Sequence, residues 1–293
     1  MGLLKSFWMD FTQTMKAKEN ITMIHFCCVG YFYLLAFSAL YCCLFIAFPI
    51  IYRHDDDYNW NLFAFFFLFI NMIGNQILGT VYNSTYTDGL ILNPPPKSWI
   101  LCMTCQQHCP PRSHHCPVCQ KCILKRDHHC YFFMTCVGIQ NLRYFLPFSF
   151  YVGIGSLYCV KQMLSYLNYS YVTIEFSLNA IFSYFFPGVM YNYLWSGEGN
   201  LNFDKLYCIL VLYGSVVTGI GGSFYFLSEL FISMRGQTIY EFGKDIRKYD
   251  FGFLRNIKQV LWPWGILYFL MPLPVPTKEI NAPWGTPKFV KGI

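Results

Sequence analysis

Charged residues are scarce in this sequence. Asp, Glu, Lys and Arg make up 12% of the 293 residues, about half the usual share. A soluble protein of this length needs more charge on its surface, so the composition excludes an ordinary soluble domain. Apolar residues account for 55% and aromatic residues for 20%. Most of the chain is therefore predicted to face lipid or other transmembrane helices.

A cleavable signal peptide is not predicted either. Met1–Asn20 is polar and mixed in charge, and the first apolar run is too long for the hydrophobic region of such a signal. The apolar runs contain almost no charge that could line a pathway, which argues against a transporter or channel. They predict four transmembrane helices, namely Ile24–Tyr52, Trp60–Tyr82, Tyr144–Tyr166 and Lys205–Ser233.

Positive charge sets the predicted orientation. A fifth apolar segment, Tyr171–Trp195, would place the nine Lys and Arg residues of 235–293 in the lumen, against the positive-inside rule. We therefore predict an all-α polytopic membrane protein with four transmembrane helices, a cytosolic Cys/His-rich loop and both termini in the cytosol. The expected divisions are a leader (1–23), a transmembrane hairpin (24–82), a cytosolic metal-binding loop (83–143), two further spans with a lumenal excursion at 167–204 (144–233), and a cytosolic tail (234–293).

The loop holds most of the metal-ligating residues. Between Cys102 and Cys136 lie eight of the fourteen Cys and five of the seven His. One spacing, C-x2-C-x9-H-x6-C, occurs twice with an offset of fourteen residues. Three thiols and one imidazole suit a tetrahedral structural Zn²⁺. The pattern therefore predicts two zinc ions, with an iron–sulfur cluster or a disulfide knot as alternatives. The first set is Cys102, Cys105, His115 and Cys122; the second is Cys116, Cys119, His129 and Cys136.

The repeat selects one histidine of each adjacent pair. His115 and His129 recur at the fourteen-residue offset, so His114 and His128 are available for roles other than metal binding. Cys130 follows the second pair but opens no new C-x2-C, because position 133 is Phe133. A thiol beside an imidazole and the carboxylate of Asp127 is typical of an activated nucleophile. The alternative is a spare thiol in a metal-binding module.

The position of Cys130 near the predicted span at Tyr144 suggests its substrate. A thiol at the cytosolic membrane boundary can accept an acyl group from an amphiphile such as a fatty acyl thioester of coenzyme A. The phosphates of coenzyme A could contact basic side chains of the loop. Those side chains could equally be ordinary basic residues facing lipid headgroups. The candidates are Lys121, Lys125, Arg126 and Arg143.

The loop resembles the DHHC family of protein S-acyltransferases. The likeness covers Cys102–Phe145 and includes the core Asp127–Cys130 and the Cys136-Val137-Gly138-x2-Asn141 segment. The resemblance implies that Cys130 is acylated from palmitoyl-CoA and passes the acyl group to protein cysteines. It also implies that Asp127 and His128 activate Cys130 and that His129 binds zinc. Membrane-associated proteins with cytosolic cysteines would be the substrates, the bilayer would be a further partner, and no nucleic acid is expected.

Several positions depart from the family pattern. Tyr131-Phe132 stands where the family usually has Pro-Trp, and Ile239 replaces the second Thr of its Thr-Thr-x-Glu motif. Thr238 and Glu241 keep the rest of that motif, and Asn256 matches a C-terminal family position. The departures leave an alternative, a catalytically weak or inactive zinc-stabilised adaptor of the same family. We expect an endomembrane location, in the Golgi or the endoplasmic reticulum.

Overall fold

The computed structural model describes residues 18–53, 57–85, 95, 97–170 and 202–275. The expectations for residues 1–17 of the leader, for 171–201 of the excursion and for 276–293 of the tail lie outside the described residues. Long helices dominate the described part of the chain. They are α1 (Lys18–Tyr41), which continues through a π-helical stretch (Cys42–Ala47) into α2 (Phe48–Ile51), then α3 (Tyr58–Val81), α4 (Leu142–Ser170) and α5 (Phe203–Met234).

Among the described residues, three helices are long and apolar enough to cross a membrane: Ile21–Ile51, Tyr58–Val81 and Phe203–Met234. They correspond to the first, second and fourth predicted spans. Helix α4, with 29 residues, is long enough at about 1.5 Å per residue. Lys161, Gln162 and several Tyr and Ser side chains make it less apolar than the other three. The third predicted span, Tyr144–Tyr166, therefore stays a prediction.

The chain divides into two compact units. One unit consists of residues 33–72 and 149–225 and has an apolar core around Cys42, Cys43, Phe48 and Met163. Its buried polar groups bond between helices. The Tyr158 hydroxyl lies 3.0 Å from Asn61 Oδ1, and the Gln162 amide donates to the same oxygen at 3.3 Å. Such amide contacts tie helices together where lipid offers no hydrogen bonds.

Gly153 lies where α4 packs closely against α5. A Cβ atom at Gly153 would lie 2.7 Å from Ser223 Oγ, and one at Gly222 would lie 2.8 Å from the Gly153 nitrogen. Close packing of two helices therefore accounts for Gly153. Gly155 has open space around it within 4 Å.

The other unit consists of residues 1–32, 73–148 and 226–293 and contains the Cys/His-rich loop. This loop forms three antiparallel hairpins, so the expectation of an all-α chain was wrong here. Each C-x2-C pair requires the chain to reverse its direction within four residues, which a helix cannot do. The strands are β1 (Ile100–Cys102) with β2 (Gln107–Cys109), β3 (His114–Cys116) with β4 (Lys121–Ile123), and β5 (His128–Cys130) with β6 (Thr135–Val137).

The fourteen-residue repeat of the sequence is also a repeat of the backbone. Gln106, Gln120 and Met134 occupy the last turn position of the three hairpins and have φ values of 53°, 54° and 55°. A positive φ is uncommon for residues with a side chain. Its recurrence shows that all three hairpins share one turn geometry.

Short helices follow the last long helix. They are α6 (Ile239–Gly243), α7 (Phe253–Val260) and a 3₁₀ helix (Gly265–Phe269). Thr238 begins α6 with a capping box: its side chain accepts from the Glu241 N–H, and the Glu241 carboxylate accepts from the Thr238 N–H. This reciprocal pair fixes the chain direction immediately after α5.

Candidate metal centres and active site

The two predicted ligand sets are assembled by consecutive hairpins. In each set, the two thiols of a C-x2-C turn come from one hairpin, and a cross-strand His–Cys pair comes from the next. His115 lies opposite Cys122, and His129 lies opposite Cys136. The ligand atoms within each set all lie within 4.8 Å of one another. The structure thus brings all eight predicted ligands into two groups that could each hold a metal ion.

The distances within the second set fit tetrahedral coordination. Nδ1 of His129 lies 3.3 Å from the sulfur of Cys119, 3.6 Å from that of Cys136 and 3.8 Å from that of Cys116. The Cys119 and Cys136 sulfurs are 3.7 Å apart. A zinc ion with ordinary bond lengths separates its ligands by about 3.5 to 3.8 Å. The donor chemistry and the spacing therefore both fit zinc.

The first set repeats this geometry. Nδ1 of His115 lies 3.2 Å from the Cys105 sulfur, and the Cys122 and Cys105 sulfurs are 3.6 Å apart. In both sets, the N–H of the second turn cysteine points at the sulfur of the first at 3.4 Å. All fourteen cysteines are free thiols, so the disulfide alternative finds no support.

Residues that the repeat left out lie outside both groups. The ring of His114 packs against Tyr240 with 4.5 Å between centroids. Cys109 is buried, with its sulfur near the Gln107 carbonyl. The selection of His115 and His129 as ligands agrees with this arrangement.

Cys130 lies in the third and last hairpin, at the position that a predicted metal ligand occupies in each of the first two hairpins. Cys102, Cys116 and Cys130 each end the first strand of their hairpin. The third hairpin carries Phe133 where the others carry a second turn cysteine, and Cys130 belongs to neither ligand group. The third hairpin therefore places a thiol in a rigid turn without assigning it to a metal.

His128 and Asp127 lie beside this thiol. Nδ1 of His128 donates to Oδ2 of Asp127 at 2.8 Å, and Asp127 is buried. Burial disfavours the charged imidazolium, but hydrogen bonds with Asp127 and Cys130 outweigh it and raise the pKa of His128 to about 10. The arrangement can therefore hold a proton on His128 while the carboxylate orients the ring.

The sequence did not single out Glu229 as part of this site. Its carboxylate lies within 4.8 Å of the ligand atoms of Asp127 and His128, and the residue is only 2% exposed. Oε1 of Glu229 has no hydrogen-bond partner among the described residues. The sequence did contain a signal for Glu229, because a carboxyl group within an apolar span usually marks a functional position.

One of the C-terminal family positions, Ile239, contacts the site directly. The backbone N–H of Ile239 donates to Oδ1 of Asp127 at 2.8 Å. Because the backbone makes this contact, the loss of the second Thr at Ile239 leaves it intact. Asn256 donates to the carbonyl of Met234 and to Asp250, and its side-chain oxygen accepts from the N–H of Phe251.

Arg112 connects the loop to the same C-terminal element. Its guanidinium binds both carboxylate oxygens of Glu241, at 2.7 and 2.6 Å, and donates to the carbonyl of Gly236 at 2.8 Å. The guanidinium carbon lies over the face of the Tyr249 ring, 4.3 Å from the ring centroid. Both partners of the ion pair are buried.

The four basic side chains that were predicted to meet coenzyme A phosphates differ in their surroundings. Lys121 is exposed, and Arg126 is partly buried with Nη2 3.9 Å from the Cys116 sulfur. Arg143 is buried and donates to the carbonyls of Trp262 and Ile139. Lys125 is buried, and burial together with the nearby Arg112 lowers its pKa to about 7. A phosphate-binding role for these four stays a prediction.

Known palmitoyltransferases are similar to this chain. Residues 96–246 match the family model described as DHHC palmitoyltransferase. Probable palmitoyltransferase ZDHHC24 of Danio rerio is 32% identical over 231 residues, which cover 75% of this chain and 74% of that protein. Palmitoyltransferase ZDHHC22 of Rattus norvegicus is 25% identical over 216 residues, which cover 71% of this chain and 75% of that protein. The family predicted from the sequence is thus confirmed: the chain belongs to the DHHC palmitoyltransferase family.

Proposed function

We propose that this protein is a protein-cysteine S-palmitoyltransferase that uses Cys130 as its nucleophile. Family membership supports the reaction. The observation that carries the assignment of Cys130 is its place beside the Asp127–His128 pair and outside both ligand groups. Palmitoyl-CoA is the proposed acyl donor, and cysteines of membrane-associated proteins are the proposed acceptors.

The proposed reaction has two half-reactions with balanced proton transfer. His128 takes the proton of the Cys130 thiol, and the sulfur attacks the thioester carbonyl of palmitoyl-CoA. A new C–S bond forms to Cys130, the C–S bond to coenzyme A breaks, and His128 returns the proton to the departing sulfur. A substrate thiol then gives its proton to His128 and attacks the acyl-Cys130 carbonyl. A C–S bond forms to the substrate, the C–S bond to Cys130 breaks, and His128 returns the proton to the Cys130 sulfur.

The two ligand groups are proposed to hold one structural Zn²⁺ each. A bound zinc ion would cross-link neighbouring hairpins and so supply rigidity in a segment with little apolar core. Three short hairpins then hold Cys130, His128 and Asp127 in fixed relation. The first set would join the first and second hairpins, and the second set would join the second and third.

Contacts of the third hairpin support a position at the membrane boundary. Phe133 packs against Gly79, where a Cβ atom would lie 2.1 Å from its ring. The Gln76 amide donates to the Phe132 carbonyl at 2.9 Å. Both Gln76 and Gly79 belong to the last turns of a candidate span. We propose four spans, with α4 as the third, and a cytosolic loop on an endomembrane of the Golgi or the endoplasmic reticulum.

Acyl loading of purified protein tests this function. Incubation with palmitoyl-CoA should give a hydroxylamine-labile adduct that is absent from Cys130→Ala. Cys109→Ala is the matched control, since Cys109 is a buried thiol of the same loop outside both ligand groups. An equal adduct in Cys130→Ala would refute the assignment. Normal zinc content without any adduct in the wild-type protein would favour the inactive adaptor.

A further inference from the structure

His25 lies next to a proposed zinc ligand. It stands near the beginning of the first candidate span, and its Nε2 lies 2.8 Å from Nε2 of His129. The two rings are stacked, with centroids 5.1 Å apart. The Tyr131 ring packs against both, 5.4 Å from His25 and 5.1 Å from His129. One of the departures from the family pattern thus completes an aromatic cluster around this hydrogen bond.

The proposed coordination determines the direction of the hydrogen bond. Nδ1 of His129 faces the three thiols of the second set. An imidazole that binds a metal through Nδ1 keeps its proton on Nε2. Nε2 of His129 is therefore the donor and Nε2 of His25 the acceptor, which places the remaining proton of a neutral His25 on Nδ1. A partner of this kind orients a metal-bound imidazole and makes it a better ligand.

The first ligand set offers a comparison. His115 also turns Nδ1 toward a cysteine of its set, at 3.2 Å. Within the described parts of the chain, its Nε2 has no counterpart of His25. Among the described residues, only the second set is connected to a candidate span by a histidine pair. Two ligands of this set, His129 and Cys136, lie in the hairpin that carries Cys130.

We infer that His25 is a positioning residue for the second zinc site, which it connects to the first span by accepting the hydrogen bond of His129. This inference rests on the two zinc ions of the proposed function. It assigns His25 no contact with the acyl group. It predicts that loss of the acceptor weakens the second site selectively, because the first site has no contact with His25.

Zinc release from the full-length protein in detergent tests the inference without an activity assay. The total zinc is counted by mass spectrometry, and its release to a chelator is followed with time. In His25→Phe, which keeps an aromatic ring but lacks an acceptor, one of two zinc ions should leave about 10- to 100-fold faster. The other should leave at the wild-type rate. Met23→Ala, an exposed position on the same helix, should behave as wild type.

His25→Gln separates the hydrogen bond from the ring. Its side-chain oxygen can accept from His129, so zinc release should lie closer to the wild-type rate than in His25→Phe. If His25→Phe does not fold, His25→Gln is the deciding variant. A folded His25→Gln protein with two zinc ions supports the acceptor role of His25. If neither variant folds, the inference is overturned. Two zinc ions released from His25→Phe at wild-type rates would overturn the inference and leave the proposed function standing. A wild-type protein without zinc would overturn both.

Discussion

The backbone N–H of Ile239 donates to Oδ1 of Asp127 across 112 positions of sequence. Oδ2 of the same carboxylate accepts from His128. One carboxylate therefore joins the proposed catalytic histidine to the segment that follows the last long helix. The capping box of Thr238 and Glu241 holds that N–H in place, and Arg112 holds Glu241.

Thr238→Ala should impair acyl loading without removing any group that contacts substrate. Loss of the cap costs about 1 kcal/mol and releases the Ile239 N–H from its position at Asp127. We expect a several-fold slower formation of the acyl adduct at unchanged zinc content. Thr238→Ser keeps the hydroxyl and should load at nearly the wild-type rate. Equal rates in Thr238→Ala and wild type would show that the cap does not position Asp127.

Arg112→Ala should strongly lower thermal stability. It leaves the buried Glu241 carboxylate without its bidentate partner, a change that typically costs about 3 to 5 kcal/mol. Arg112→Lys should restore only part of the loss, because an ammonium cannot bind both carboxylate oxygens in the same way. Thermal unfolding followed by intrinsic fluorescence measures the effect.

The Arg247–Asp245 pair provides the matched control for Arg112. Its N···O distance is 2.9 Å, but the two side chains are 61% and 74% exposed. Exposed pairs of this kind contribute about 0 to 1 kcal/mol. Arg247→Ala should therefore leave the melting temperature almost unchanged. Equal losses in the two variants would contradict a special role for the buried pair.

Glu229→Ala should slow acyl loading by about tenfold or more, a loss of about 1.4 kcal/mol in barrier. The substitution removes a buried polar side chain that lies against Asp127 and His128 and leaves a cavity there. Glu229→Gln keeps the shape and hydrogen-bonding capacity, so it should retain more activity. Leu227→Ala, exposed on the same helix, is the control. Comparable rates in Glu229→Ala and Leu227→Ala would exclude Glu229 from the site.

Lys125→Met should stabilise the protein at acidic pH and have less effect at alkaline pH. Burial and Arg112 lower the pKa of Lys125 to about 7, although Glu241, Asp127 and Glu229 favour its charge. In the unfolded chain the ammonium stays protonated to about pH 10.4. The native state therefore binds fewer protons between these values, and charged Lys125 destabilises it most below pH 7.

The expected gain for Lys125→Met at pH 6 is on the order of a few kcal/mol, and it should shrink as the pH rises from 7 to 10. Chemical denaturation at a series of pH values measures it. Lys121→Met is the control, because Lys121 is an exposed lysine of the same hairpin region. A gain that does not change with pH would mean that Lys125 is not a buried, destabilised cation.

The ligand groups were predictable because the hairpin repeat leaves a fourteen-residue period in the sequence. The same repeat predicts Cys130 as the nucleophile, because its hairpin position recurs while the second cysteine of the C-x2-C pair does not. Contacts between distant segments leave no such period. His25 and His129 are 104 positions apart, and Glu229 meets Asp127 from a helix whose own pattern is only apolar. Lys125 is basic in sequence, but its burial depends on packing that the local sequence does not encode.

Native mass spectrometry of the palmitoyl-CoA-treated protein counts metal ions and acyl groups on the same molecule, so it tests whether Cys130 carries the acyl group while both proposed zinc sites are filled. We expect two zinc ions together with one acyl group, and proteolysis should place that group on Cys130. Acylated molecules that have lost a zinc ion, or an acyl group on a cysteine of either ligand set, would contradict it.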